Sequence, residues 1–272
     1  MPFLEHDGAH LAYEIAGDPS APAVVYLPGM GNHSLDTLSS TIMAALSPDY
    51  RILVPDHRGS GRTRVPPGAV SAPEQMTADV AAIMAAEGIA QAHIFGYSLG
   101  TALAVSLALC FPERVRSLAL AAGFAHIPMP SRTTFILEAM RDLRASGVPR
   151  ELVNRFNALY LLSENLFEHE DLIRKWASGE PGPHEQTPDG FTLQTDAFRG
   201  FDARARLKDI PQPALILSSP DDVLVPAHHQ DELAHGLPNA QLKHYPGGHA
   251  FVGLPFLFAH VMDDLRAFWA TL

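Results

Sequence analysis

The sequence predicts an α/β fold: a mostly parallel central sheet with helices on both faces, interrupted by an inserted block of helices. Three observations predict it. Short runs between Val24 and Ala121 are apolar at consecutive positions rather than alternating, the pattern of strands buried on both faces. Helical patterns separate these runs, so the strands are joined by crossovers. The rhythm then stops between Pro128 and Lys208, where the patterns are helical, and resumes afterwards.

Taken in order, the runs Pro2–Glu5 and His10–Ala16 surround Asp7-Gly8, a hairpin signal between alternating segments. Val24–Leu27 reads as the first buried strand and leads into the glycine loop "PGMGNHS". A helix is expected from Leu35 to Leu46, then a strand at Ile52–Val54 that ends in "PDHRGSGRT". The stretch "APEQMTADVAAIMAAEGI" places Pro73 near a helix start and Gly88 near its end. "AHIFGYS" is a strand, Leu99–Leu109 a helix and "VRSLALAAG" a strand. Three amphipathic helices follow, in "TTFILEAMRDLRASG", "RELVNRFNALYLLSE" and "FEHEDLIRKWASG", and then the Pro/Gly-rich loop "EPGPHEQTPDG". "PQPALILSS" restores the strand pattern, followed by a helix at Ala227–His235, the strand "AQLKHYP" and a final helix near Phe256–Leu272. Residues 1–127 and 209–272 therefore form one core, with 128–208 inserted into it.

The chain has 272 residues, 47% of them hydrophobic, which is ample for a buried core. Its net charge of −11 argues against nucleic acid or an anionic membrane as partner, since both require clustered Lys and Arg. A small-molecule partner is expected, and a homodimer is left open. With one cysteine, Cys110, no intramolecular disulfide can form; Cys110 is expected to pack in the core. The stretch "MPFLEHDGAHLAYEIAG" lacks the basic and apolar regions of a signal peptide. No run of eighteen uncharged apolar residues is present. A cytoplasmic location is expected.

The chemistry centres on "GYSLG". Ser98 sits between a strand and a helix, with Gly96 and Gly100 two residues to either side, the context of a nucleophile elbow. A glycine-eased joint is the competing reading. The Leu99 amide would lie at a helix N-terminus, where unpaired N–H groups favour developing negative charge. A serine hydroxyl needs a base, and the base needs an orienting acid, here in the order serine, acid, histidine. The loop "PDDVLVP" supplies the acid, as Asp222 or its neighbour Asp221. The loop "GGHAF" supplies His249, the one of 14 histidines that has both the order and a glycine turn at a strand end. The Met30 amide, between Gly29 and Gly31, is the candidate second oxyanion donor beside Leu99.

These motifs resemble the α/β-hydrolase superfamily: "LPGMG" as oxyanion loop, "DHRGSGRT", the elbow "GYSLG", the acid loop "PDDVLVP" and the histidine loop "GGHAF", in that order over nearly the whole chain. Pro28-Gly29 stands where the family usually has His-Gly. The cadence "DDVLVP … LPNAQL … GGHAF" resembles the aminoacrylate hydrolase and 3-oxoadipate enol-lactonase branch. The resemblance implies a serine hydrolase of the carboxylesterase or lactonase kind, with Ser98 as nucleophile, His249 as base, Asp222 as orienting acid, and no metal or cofactor. It also makes the insertion a cap over the serine. Tyr160, Trp176, Phe135 and Phe198 are candidates for an apolar wall, and Arg132, Arg199 and His126 for holding a substrate carboxylate. Arg58 and Arg62 read as structural. A small ester, lactone or amide is the expected substrate. A carbon–carbon bond hydrolase acting on a ring-cleavage product, or a non-catalytic ligand-binding protein of the same fold, are the alternatives.

Overall fold

Asp7 and Gly8 both take left-handed backbone conformations, with φ of 47° and 70°. They close the hairpin between β1 (Phe3–His6) and β2 (Ala9–Ala16), as that dipeptide favours. The computed structural model describes residues 2–179 and 182–272. The remaining strands are β3 (Ala23–Leu27), β4 (Arg51–Pro55), β5 (Ala92–Tyr97), β6 (Val115–Ala121), β7 (Ala214–Ser218) and β8 (Ala240–His244). They form one eight-stranded sheet in the order β1-β2-β4-β3-β5-β6-β7-β8. β2 pairs antiparallel with β1 and β4, and every other pairing is parallel.

The consecutive apolar positions are used on alternate faces. Val25, Leu27, Ile94, Leu118 and Ile216 pack on one side against α2 (Pro73–Ala86), α3 (Leu99–Cys110) and α8 (His228–Gly236). Val24, Tyr26, Ile52, Phe95 and Leu215 pack on the other against α1 (Thr37–Leu46) and α9 (Pro255–Trp269). Each fully buried side chain of this size contributes roughly 1.5–3 kcal/mol, and the central strands β3, β4 and β7 are accordingly apolar on both faces. α1 begins two residues later than expected, because the Asp36 side chain accepts from the Ser39 amide and caps the helix there.

Between β6 and β7 lie α4 (Arg132–Ala145), α5 (Arg150–Leu161), α6 (Glu170–Ala177) and α7 (Pro188–Ala197). The last of these corrects the sequence reading, which placed residues 188–190 in a loop. Thr187 caps α7 by accepting from the Gly190 amide, and Pro188 occupies the first turn, a pairing that starts a helix rather than prolonging a loop. Glu180 and Pro181, at the start of the expected loop, lie outside the described residues. These helices rest on the loops at the C-terminal ends of the strands. The Thr133 hydroxyl donates to the Leu224 carbonyl at 2.6 Å, and the Ala250 amide donates to the Leu161 carbonyl at 2.9 Å.

Cys110 is exposed, contrary to expectation. It is the last residue of α3, at the turn where the helix leaves the sheet before Pro112, so the apolar run ahead of it is buried and the thiol is not. No helix among the described residues is long and apolar enough to cross a membrane.

Candidate active site

Ser98 joins β5 to α3 with φ 53° and ψ −118°, a conformation that costs a non-glycine residue strain energy. Its amide donates to the Ala121 carbonyl at 2.8 Å, and its carbonyl accepts from the Thr101 amide at 2.9 Å. The flanking glycines are required by close approach. A Cβ on Gly100 would lie 1.9 Å from the Leu27 carbonyl oxygen, and one on Gly96 would lie 2.5 Å from the Gly100 oxygen. The turn is held sharp, and the hydroxyl projects at the strand end.

Asp222 lies in the loop after β7 and is 3% exposed. One carboxylate oxygen, Oδ1, accepts from the amides of Leu224 at 3.0 Å and Val225 at 2.8 Å. The other, Oδ2, lies 2.7 Å from His249 Nδ1. Asp221 is exposed to solvent, so the geometry separates the two aspartates. His249, in the loop after β8, is 3% exposed, and its Nε2 lies 2.9 Å from Ser98 Oγ. An ionised carboxylate only accepts hydrogen bonds. Nδ1 therefore carries the proton and donates to Asp222, leaving Nε2 to accept from the Ser98 hydroxyl. The loop is braced twice: the Tyr97 hydroxyl donates to the His249 carbonyl at 3.0 Å, and the Gly248 amide donates to Ser219 Oγ at 3.1 Å. Burial, and then the nearby Asp222 and Asp36, push the Tyr97 phenol well above its usual range. Tyr97 is therefore a neutral donor there.

Leu99 is the first residue of α3, a position whose amide has no intrahelical partner. The loop after β3 lies directly against the serine, for a Cβ on Gly29 would meet Ser98 Cβ at 3.3 Å. Within that loop the Gly31 amide donates to Gln194 Oε1 at 3.1 Å and the Asn32 amide to the Gly29 carbonyl at 3.1 Å. Two of the loop's donors are thus engaged within the protein.

Arg58 and Arg62 are buried in ion pairs, Arg58 with Asp79 at 2.6 Å and Arg62 with Asp56 at 3.1 Å and Glu14 at 2.8 Å. They hold the "DHRGSGRT" loop in place. Of the wall candidates, Tyr160 is buried and Phe198 partly buried in one cluster with Phe124, Leu224 and Val225, next to the acid loop. Phe135 is 74% exposed, and Trp176 belongs to a separate cluster with Ala158 and Leu162. Arg132 is exposed, Arg199 pairs with Asp196 at 3.4 Å on the surface, and His126 lies 3.8 Å from Asp202. None of the three cationic candidates is drawn into the site. Gln186, Gln194 and Arg144, absent from the sequence reading, sit against the loop after β3 instead. Nothing in the spacing of Arg144 on α4 or Gln194 on α7, or in the loop that carries Gln186, distinguishes them from solvated neighbours. Among the described residues, no three His, Cys, Asp or Glu side chains cluster closely enough to hold a metal ion.

A parallel sheet whose strand ends bring a strained serine, a histidine and a buried aspartate into one hydrogen-bonded line defines a class of hydrolytic proteins. The sequence profile of the α/β-hydrolase fold matches residues 22–254, and the chain belongs to that family. It is a hydrolase. A relative from Azorhizobium caulinodans, named by provisional assignment carbamate hydrolase RutD, is 33% identical over 257 residues, covering 92% of each chain. This match agrees with the branch that the C-terminal cadence resembles. A hydrolase from Pseudomonas aeruginosa superposes with a TM-score of 0.82 at 24% identity, covering 98% of this chain and 97% of that one. The enol-lactonase from Burkholderia xenovorans superposes with a TM-score of 0.79 at 24% identity, over 99% of this chain and 100% of that one. At these identities the two structures share the fold.

Proposed function

We propose that the protein hydrolyses a small ester, lactone or amide through an acyl-enzyme on Ser98. The observation that carries this reading is the unbroken line from Asp222 Oδ2 to His249 Nδ1 at 2.7 Å and from His249 Nε2 to Ser98 Oγ at 2.9 Å. His249 takes the serine proton as Oγ attacks the carbonyl carbon. The oxyanion that forms faces the Met30 and Leu99 amides, and each such donor is worth about 3 kcal/mol in the transition state. His249 then gives its proton to the leaving group. Water repeats the sequence on the acyl-enzyme and frees the acid. Asp222 stays ionised throughout, orients the imidazole and stabilises its charged form.

The helices over 128–208 act in this reading as a cap that selects the acyl group, and the protein works in the cytoplasm. The name of the Azorhizobium relative makes carbamates the first substrates to try. The test is labelling with a fluorophosphonate, located by peptide mapping, together with turnover of a panel of short esters, lactones and carbamates. Ser98 is expected to be the labelled residue, and Ser98→Ala to lose both labelling and turnover. Full hydrolysis by Ser98→Ala would overturn the reading.

A further inference from the structure

α5 ends on the histidine loop. Leu162 closes the helix with an extended backbone, φ −107° and ψ 145°, which leaves the Leu161 carbonyl without a partner inside the helix. The Ala250 amide supplies one, donating to it at 2.9 Å. On the other side of His249 the Ser163 amide donates to the Gly247 carbonyl at 3.3 Å. Gly247 and Ala250 bracket His249, so both approaches to it are tied to the inserted helices. Between them the loop lies flat on residues 161–163. A Cβ on Gly248 would meet the Ser163 nitrogen at 2.8 Å and the Leu161 oxygen at 2.9 Å. The contact is dry, for Leu162 is 3% exposed and shares one hydrophobic cluster with Ala250 and Leu254.

α4 begins on the acid loop in a similar way. Thr133, in its first turn, is buried and donates its hydroxyl to the Leu224 carbonyl at 2.6 Å. Leu224 is also the residue whose amide holds Asp222 Oδ1 at 3.0 Å. Both partners of the Asp222–His249 bond are thus carried on loops that the inserted helices hold. The turn at Ser98 is held by the sheet instead, through the Ala121 carbonyl.

We propose that Thr133, Leu161 and Ser163 are positioning residues that keep Asp222 and His249 aligned on Ser98, so that the inserted helices govern the chemical step as well as the choice of substrate. The geometry leaves little slack. A base works within about 2.6–3.2 Å of the group whose proton it takes, and His249 Nε2 stands 2.9 Å from Ser98 Oγ. A loop displaced by about half an ångström leaves that range. The effect on rate rests on the hydrolase reading; the placement of the imidazole does not.

The test removes one tie from each loop. Ser163→Pro deletes the amide that donates to Gly247. Ser163 has φ −72°, which proline adopts, and Leu162 before it is extended, as a residue preceding proline prefers to be. Ser163→Ala keeps the amide, loses only the hydroxyl that bonds Asn165, and is the reference for the proline variant. Thr133→Val keeps the branched shape and removes the donor to Leu224. Two quantities are read: kcat and KM for p-nitrophenyl acetate, and the low-field 1H NMR resonance of the His249 Nδ1 proton, identified by its loss in His249→Ala. Ser163→Pro is expected to lose about tenfold or more in kcat against Ser163→Ala. Thr133→Val is expected to lose about threefold or more against the wild type. In both, KM should stay within about twofold and the proton resonance should move or broaden. Should Ser163→Pro not fold, Thr133→Val alone decides. A raised KM with kcat unchanged, the result of helices that only cover the substrate, overturns the proposal. So does a lowered unfolding temperature with kcat and the resonance both unmoved. A moved resonance in the variants, with Ser98 of the wild type unlabelled by a fluorophosphonate, would instead defeat the hydrolase reading and leave the positioning of His249 standing.

Discussion

Asp222 touches His249 with one carboxylate oxygen while two backbone amides hold the other, 2.7 Å on the imidazole side and 2.8 and 3.0 Å on the backbone side. The amides of Leu224 and Val225 fix the carboxylate whether or not the histidine is present, so the imidazole meets a preset acceptor. Asp222→Asn keeps the size of the group but puts an amide where Nδ1–H needs an acceptor, which favours the wrong tautomer of His249. A loss in kcat of about 10⁴-fold is expected, by analogy with other triads, with the unfolding temperature little changed. Asp221→Asn, at an exposed position, should stay within about twofold of the wild type, as surface substitutions do. Steady-state kinetics of the two variants, side by side, decide which aspartate serves His249. Equal losses would sink the assignment.

Gly29 and Gly100 both approach other backbone or side-chain atoms closely, yet their substitutions should fail in different ways. A Cβ on Gly100 would lie 1.9 Å from a backbone oxygen of β3, which cannot move aside. Gly100→Ala should therefore be insoluble or destabilised by several kcal/mol. At Gly29 the nearest atoms are Ser98 Cβ and Tyr97 Cδ1, both at 3.3 Å, and a shift of a few tenths of an ångström relieves them. Gly29→Ala should fold and lose about tenfold or more in kcat, short of the ~10²–10³ that follows deletion of a whole oxyanion donor. Circular dichroism and kinetics on both variants check the pair. A Gly29→Ala enzyme with normal kcat would show that the loop does not serve the oxyanion.

The sheet was legible because burial on both faces writes itself into sequence as unbroken apolar runs such as Val24–Leu27 and Ile94–Phe95. The order of Ser98, Asp222 and His249 was legible because strand ends in a parallel sheet are brought together whatever the intervening length. Asp221 and Asp222 could not be separated so firmly, since both lie in one turn and only tertiary packing buries the second. Arg141 and Arg144 illustrate the same limit on α4: Arg141 pairs with Asp142 in solvent, while Arg144 turns under Gln186 and Phe191. Three residues apart on one amphipathic helix, they look alike until α7 is laid across them. α7 itself was half hidden because Thr187-Pro188-Asp189-Gly190 spells both a turn and a helix start.

Gln194 ties α7 to the core. Its Oε1 accepts from the Gly31 amide at 3.1 Å and its Nε2 donates to the Arg58 carbonyl at 3.0 Å, within the two loops that follow β3 and β4. Gln194→Leu has nearly the same bulk and leaves both backbone groups unpaired. Each costs about 1–3 kcal/mol when buried, which for a chain of this size lowers the unfolding temperature by several degrees. The freed Gly31 amide should also compete with Met30 for the oxyanion and disturb kcat. Calorimetric unfolding together with kinetics tests this, and an unchanged unfolding temperature would mean that α7 is held by its other contacts.

Three buried histidines should weaken the fold in acid. Burial holds His57 and His93 down to about 4, and His229 to about 4 through burial reinforced by His228. In the unfolded chain each takes up a proton near 6.5. Between those values the unfolded state binds more protons than the folded state, so stability falls as the pH drops from about 6.5 towards 4 and is flat above that window. For His57, 4% exposed and with no partner for Nε2 among the described residues, the full loss is on the order of 3 kcal/mol. Urea unfolding at half-unit steps from pH 4.5 to 7.5 should show the decline. His93→Gln, which retains a donor for the Ser117 hydroxyl now 2.7 Å from His93 Nδ1, should make it shallower. A slope identical to the wild type in that variant would assign the acid limit to other groups.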